Sequence, residues 1–140
     1  MKALAGTLIL LIGLGGASGC RTTREHLLDA GVNQAQLRSI QSRVFDTSDR
    51  DATLRAVIAT LQDLDFLIDD ADDQLGVVSA TKLARYTLSV SVLVRSHGEH
   101  QHRVRVNMQY REKPVQEPEH YQRFFSSLEK ALFLSAQTIP

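Results

Sequence analysis

A chain of 140 residues with 16 basic and 16 acidic side chains carries no formal net charge at pH 7. It therefore lacks the basic excess by which general nucleic-acid binders neutralise phosphates, and no nucleic-acid partner is expected. Cys20 is the sole cysteine, so no intrachain disulfide can staple the fold; an apolar core must hold one domain, the length being short for two.

Met1 and Lys2 give a positive start, Leu8 to Leu14 an apolar run, and Gly15, Gly16, Ala17, Ser18 and Gly19 a small-residue stretch before Cys20. These are the parts of a secretory signal peptide. The run is shorter than the roughly 20 apolar residues of a membrane-spanning helix. Ala17-Ser18-Gly19-Cys20 resembles the lipobox of bacterial lipoproteins, with Ala17 in place of the commonest Leu. The resemblance implies that residues 1–19 are removed and that Cys20 is lipidated, palmitate included, as the first mature residue. Arg21 follows where an inner-membrane lipoprotein of the enteric type would carry Asp. For a Gram-negative cell, the resemblance then implies a lipid anchor in the outer membrane, on its periplasmic face. The same residues also fit an ordinary signal peptide cut near Ala17 or Gly19, leaving a free thiol, or an uncleaved N-terminal anchor.

Residues 20–40 are read as the lipidated N-terminus and a polar tether, ahead of a single domain over 41–140. The alternative is a short helix docked through Leu27 and Leu28. Ser39 to Asp46 alternates as a strand would. Ser48 is a candidate N-cap, with Asp51 three residues on, for a helix running to about Leu64. Leu54, Val57, Ile58, Leu61 and Leu64 form its apolar stripe. Asp65 to Ile68 is expected to open a second strand, interrupted by an acidic turn from Asp69 to Gln74. Leu75 to Lys82 then returns, with Phe66 and Ile68 on the face of Val78 and Ala80.

The clearest pair follows. In Tyr86–Arg95, Leu88, Val90, Val92 and Val94 share one face; in Arg103–Arg111, Val104, Val106, Met108 and Tyr110 do. Setting Val94 opposite Val104 brings Val92 to Val106 and Val90 to Met108, and a slip of one residue breaks every match. Pro114 to Pro118 reads as a loop. Pro118 then starts a helix that frays near Gln137, with Tyr121, Phe124, Phe125, Leu128, Ala131, Leu132 and Ser135 inward. The expected fold is α+β: two layers, an antiparallel sheet of about five strands with two helices on one face, in the order β-α-β-β-β-β-α.

The other sheet face carries Arg95, Arg103, Arg105 and Arg111 among Ser89, Ser91, Asn107 and Gln109. The register sets Arg95 against Arg103, and like charges directly opposite destabilise a pair. An anionic partner would offset that, as would nearby acids such as Glu99 and Glu112. His97, His100 and His102 with Glu99 have metal-ligand chemistry, but a hairpin tip splays such groups. Asp69, Asp70, Asp72 and Asp73 lack the spacing of a calcium loop. No metal or cofactor is expected. No nucleophile elbow or phosphate loop accompanies Ser126, Ser127 or the histidines, and His26 and His120 stand alone; no enzyme is expected.

Leu54 to Leu64, then Asp65-Phe66-Leu67-Ile68, then Asp72-Asp73-Gln74-Leu75-Gly76-Val77-Val78 resemble a pattern in small outer-membrane lipoprotein domains. The nearest in style is the helix-grip domain of a lipoprotein subunit of the β-barrel assembly machinery. The resemblance implies a non-catalytic role: a binding or scaffold subunit of an envelope assembly, transport or secretion complex, membrane-attached by lipid and bound to a protein partner. The alternative is a small-ligand or lipid-binding periplasmic carrier, its cleft lined by Phe124, Phe125, Leu128 and Phe133.

Overall fold

The computed structural model describes residues 33–137, so the signal stretch, Cys20 and the tether up to residue 32 lie outside the described residues. A helical segment over residues 33–40, α1, precedes strand β1 (Ser42–Phe45) and helix α2 (Arg50–Asp63). Strands β2 (Leu67–Asp72), β3 (Val77–Leu83), β4 (Thr87–Ser96), β5 (His102–Tyr110) and β6 (Lys113–Pro114) follow, and helix α3 (Pro118–Gln137) ends the order. The protein is α+β. Its antiparallel sheet runs β1-β5-β4-β3-β2, with β6 paired to β5 beyond β1.

The β4–β5 hairpin has the expected register: Val94 opposes Val104, Val92 opposes Val106, and Val90 opposes Met108. These six side chains are buried, as are Leu88, Val78 and Ala80. Onto this face pack Leu54, Val57 and Leu61 of α2 and Tyr121, Phe124, Phe125 and Leu128 of α3. Burial of this apolar surface is the main force holding the layers together.

Several boundaries differ from the sequence reading. Residues 39 and 40 belong to α1, so the first strand starts at Ser42 rather than Ser39. Leu37 and Ile40 pack against the core, and two inward residues in a polar stretch are too sparse to show as a period. The N-cap of α2 is Asp49, not Ser48: its extended backbone (φ −92°, ψ 100°) lets Oδ1 accept from the Ala52 amide at 2.8 Å. Asp is as good an N-cap as Ser and adds negative charge at the positive helix end. β2 does not stop at Ile68 but runs through the aspartates to Asp72, with a bulge between Ile68 and Asp70. Asp70 and Asp72 oppose Ser79 and Val77 on the face away from the helices, where water solvates a charged side chain. The supposed loop after Pro114 begins instead with β6, whose exit is fixed by the Val115 amide donating to the Met108 carbonyl at 2.9 Å. Ser135, expected inward, is exposed.

α2 ends without a glycine. The Phe66 amide donates to the Leu61 carbonyl (2.9 Å) and the Asp65 amide to the Gln62 carbonyl (3.0 Å), the two bonds of a Schellman ending. Asp65 takes the left-handed position at φ 64°. Lys82 Nζ, from β3, donates to the Leu64 carbonyl at 2.8 Å and so ties the helix end to the sheet.

Thr60 Oγ1 in α2 is buried with no hydrogen-bond partner, the only such side-chain atom among the described residues. A buried hydroxyl without a partner costs about 1–3 kcal/mol. Thr60→Val keeps the shape and removes the hydroxyl. It is expected to raise the unfolding free energy by about 1 kcal/mol, read as a higher urea midpoint; an unchanged or lower midpoint would show that the hydroxyl has a partner after all.

Candidate functional site

Strand alternation builds the face away from the helices. Directly opposed residues point the same way, so the pairings define rows across the sheet. One row reads Ser42, Arg105, Leu93, Val77 and Asp72; the next reads Asn107, Ser91, Ser79 and Asp70; a third reads Gln109, Ser89, Thr81 and Leu67. At one end of the face Arg95 opposes Arg103, with the half-exposed Val44 beside it. Three of the four expected arginines are therefore together and exposed. Arg111 is not among them: β5 ends at Tyr110, and Arg111 turns the chain toward β6 with φ 57°. Its amide donates to the Thr87 carbonyl at 3.3 Å.

Among the described residues, no carboxylate lies within ion-pair distance of Arg95, Arg103 or Arg105; the ion pairs formed are Arg43–Glu129 and Lys82–Asp65. Glu99 and Glu112, the nearby acids in sequence, do not neutralise this face. Arg103 Nη2 donates to His97 Nδ1 at 3.1 Å. A guanidinium only donates, so His97 receives it on the Nδ1 lone pair and carries its own proton on Nε2.

Arg43 shows how alternation sorts arginines. One residue from Val44, it lies on the helix side, its guanidinium 5.0 Å from the Phe125 ring centroid and 2.8 Å from Glu129 of α3. The sequence reading passed over it. The signal was present in the spacing, since Arg43 opposes buried Val104.

The histidine-rich loop does not converge. His102 is part of β5 and buried, its Nδ1 2.7 Å from the Thr47 carbonyl; His97 faces Arg103. Gln101 holds the loop to the β1–α2 connection through Asp46 Oδ1 at 2.6 Å. Among the described residues no three His, Cys, Asp or Glu side chains are placed to hold a metal. The aspartates separate likewise: Asp69 Oδ2 accepts from Thr81 Oγ1 at 2.7 Å, while Asp72 Oδ1 accepts from the Leu75 amide at 2.8 Å and shapes the turn. His120 sets its ring edge-on to Tyr110 at 6.0 Å.

The cleft expected of a carrier is occupied by its own lining. Phe124, Phe125 and Leu128 are core residues, at most 1% exposed. Phe133 is outside, 63% exposed, on a groove between α2 and the end of α3 that Ala52, Ala56, Ala59 and Leu132 also line. Among the described residues no helix is long and apolar enough to cross a membrane. No protein-family model and no curated protein matches the chain.

Proposed function

We propose that the protein is a non-catalytic binding or scaffold subunit of an envelope assembly, transport or secretion complex. Lipid on Cys20 would anchor it at the periplasmic face of the outer membrane, and the arginine-bearing sheet face would hold an acidic protein partner. One observation carries this reading: Arg95, Arg103 and Arg105 stand together on a solvent face with no carboxylate within ion-pair distance among the described residues, beside the aliphatic side chains of Val44, Leu93 and Val77. Arginine next to aliphatic surface is the composition of protein-binding patches. Folding alone gains nothing from setting two arginines opposite each other. The lipobox-like Ala17-Ser18-Gly19-Cys20 supports the location.

The test is affinity recovery of the full-length protein from detergent-solubilised envelopes, with intact-mass analysis of its N-terminus. The Arg103→Glu/Arg105→Glu variant is expected to lose at least ~10-fold in partner recovery, the scale of a buried charged contact. The mass should fit a triacylated Cys20. Unchanged recovery removes the sheet face from the argument. Unchanged recovery with a co-eluting lipid in native mass spectra would instead favour the carrier reading, for which the groove beside Phe133 is the available surface.

A further inference from the structure

We infer that the acidic partner of this face is a second copy of the same chain, packed sheet against sheet about a two-fold axis parallel to the strands. The inference rests on the reading of the face as a binding surface and goes beyond it in naming the occupant.

The rows carry the argument. Across the sheet from β5 to β2, one row runs Arg105, Leu93, Val77, Asp72, and the next runs Asn107, Ser91, Ser79, Asp70. Each has a donor at the β5 end, an acid at the β2 end and small or aliphatic groups between. Such a row is complementary to its own reverse. A two-fold axis along the strands, placed between β4 and β3, lays β5 of one copy over β2 of the other and β4 over β3. Arg105 then meets Asp72 of the second copy, Leu93 meets Val77, Asn107 meets Asp70, and Ser91 meets Ser79. Arg95 and Arg103, one row further on, fall over the second copy's β2–β3 turn, where exposed Asp73 lies. Each contact occurs twice, as an isologous interface requires.

Charge also rejects the main alternative. A two-fold axis across the strands would lay β5 over β5, arginine side over arginine side, with the acids likewise together. Only the strand-parallel axis brings opposite charges together, and like charges facing each other across an interface suppress pairing. The central side chains are short, so two sheets can approach to the usual spacing of about 10 Å. The four overlapping strands, at about 4.8 Å spacing and about eight residues long, give on the order of 500 Å² in projection. That is just below the lower bound of about 600 Å² per partner for specific complexes. A concentration-dependent, salt-sensitive dimer is the expected result.

The test uses full-length protein carrying two different tags, co-expressed and recovered from detergent-solubilised envelopes. Wild-type copies should co-purify. A variant with Arg103→Asp and Arg105→Asp has a mainly acidic face that keeps Arg95, and one with Asp70→Lys and Asp72→Lys a mainly basic face that keeps Asp73. Each should recover its own kind at least ~10-fold less well, while the two together should recover each other at the wild-type level or better. Because Asp72 also holds the Leu75 amide, Asp70→Lys with Asp73→Lys serves as a second basic variant that leaves this bond intact and should behave alike. Wild-type copies that do not co-purify, variants that pair with their own kind as well as wild type, or opposite variants that fail to pair would each overturn the inference. If copies fail to co-purify while Arg103→Glu/Arg105→Glu still loses an envelope protein, the dimer falls and the binding face stands. If neither effect is seen, both fall.

Discussion

Phe124→Ala is expected to lower the unfolding free energy by about 3–5 kcal/mol, the range for removing a buried aromatic ring. Phe124 is fully buried and meets Phe125 edge-on, with centroids 5.4 Å apart and planes at 75°. Phe125 in turn lies 6.3 Å from Phe45 of β1 and under the Arg43 guanidinium. The cavity would therefore open beneath the contact that ties α3 to the sheet edge. Domains of this size have about 5–15 kcal/mol in total, so the melting temperature should fall by roughly 15–30 °C. Thermal denaturation followed by circular dichroism reads this directly. Phe133→Ala is the matched control: the residue is 63% exposed on the same helix, and its removal should change stability by no more than about 0.5 kcal/mol. Equal losses in the two variants would contradict the assignment of the inward stripe.

Gly76→Ala is expected to cost about 2–4 kcal/mol. Gly76 sits in the β2–β3 turn at φ 68°, and its carbonyl accepts from the Val94 amide at 2.8 Å. A Cβ there would lie 2.6 Å from the Val94 carbonyl oxygen and 2.8 Å from Arg50 Nη2. Arg50 is itself occupied, donating to the Gln74 carbonyl at 2.9 Å. The side chain could swing away only by giving up that bond, and the backbone oxygen belongs to the central strand β4. Gly98 separates the two contributions. It has φ 77°, but no atom outside its own residue and chain neighbours lies within 4 Å of where an alanine methyl would stand, so Gly98→Ala should show only the left-handed backbone penalty of about 1–2 kcal/mol. Urea unfolding of both variants measures the difference. If they match, the close approach of turn and strand at Gly76 is not as described.

The parts legible in the sequence are those where one physical period dominates. The β4–β5 register followed from alternation alone, because every apolar residue has an apolar partner only one way. The stripes of α2 and α3 followed from helical spacing; Thr53, Ala56 and Thr60 were missed because polar or small residues leave no mark on such a stripe. The acidic stretch misled because aspartate is a turn residue by habit, whereas here it occupies an edge strand whose bulge at Asp69 shifts the alternation by one. The same shift hid half of the candidate site. Arg95, Arg103 and Arg105 were visible by parity, but Asp70 and Asp72 join their face only once the bulge is known. Alternation continued past Tyr110 puts Arg111 on that face, because the strand's end, set by a positive φ at a non-glycine residue, has no sequence signature.

The margins of the sheet bear on how chains of this kind avoid polymerising. On one side, β1 lies along residues 102–105 of β5 and β6 along Gln109 and Tyr110, so two short pieces divide a single strand's flank between them. On the other side, β2 presents Asp69, Asp70 and Asp72, and its ladder is broken by the bulge. Short pieces, clustered charge and bulges are the devices that keep open ladders from recruiting further strands. Fibre growth by strand addition is thus opposed at both margins. A sheet bounded in this way can meet another chain across its face without lengthening by a strand.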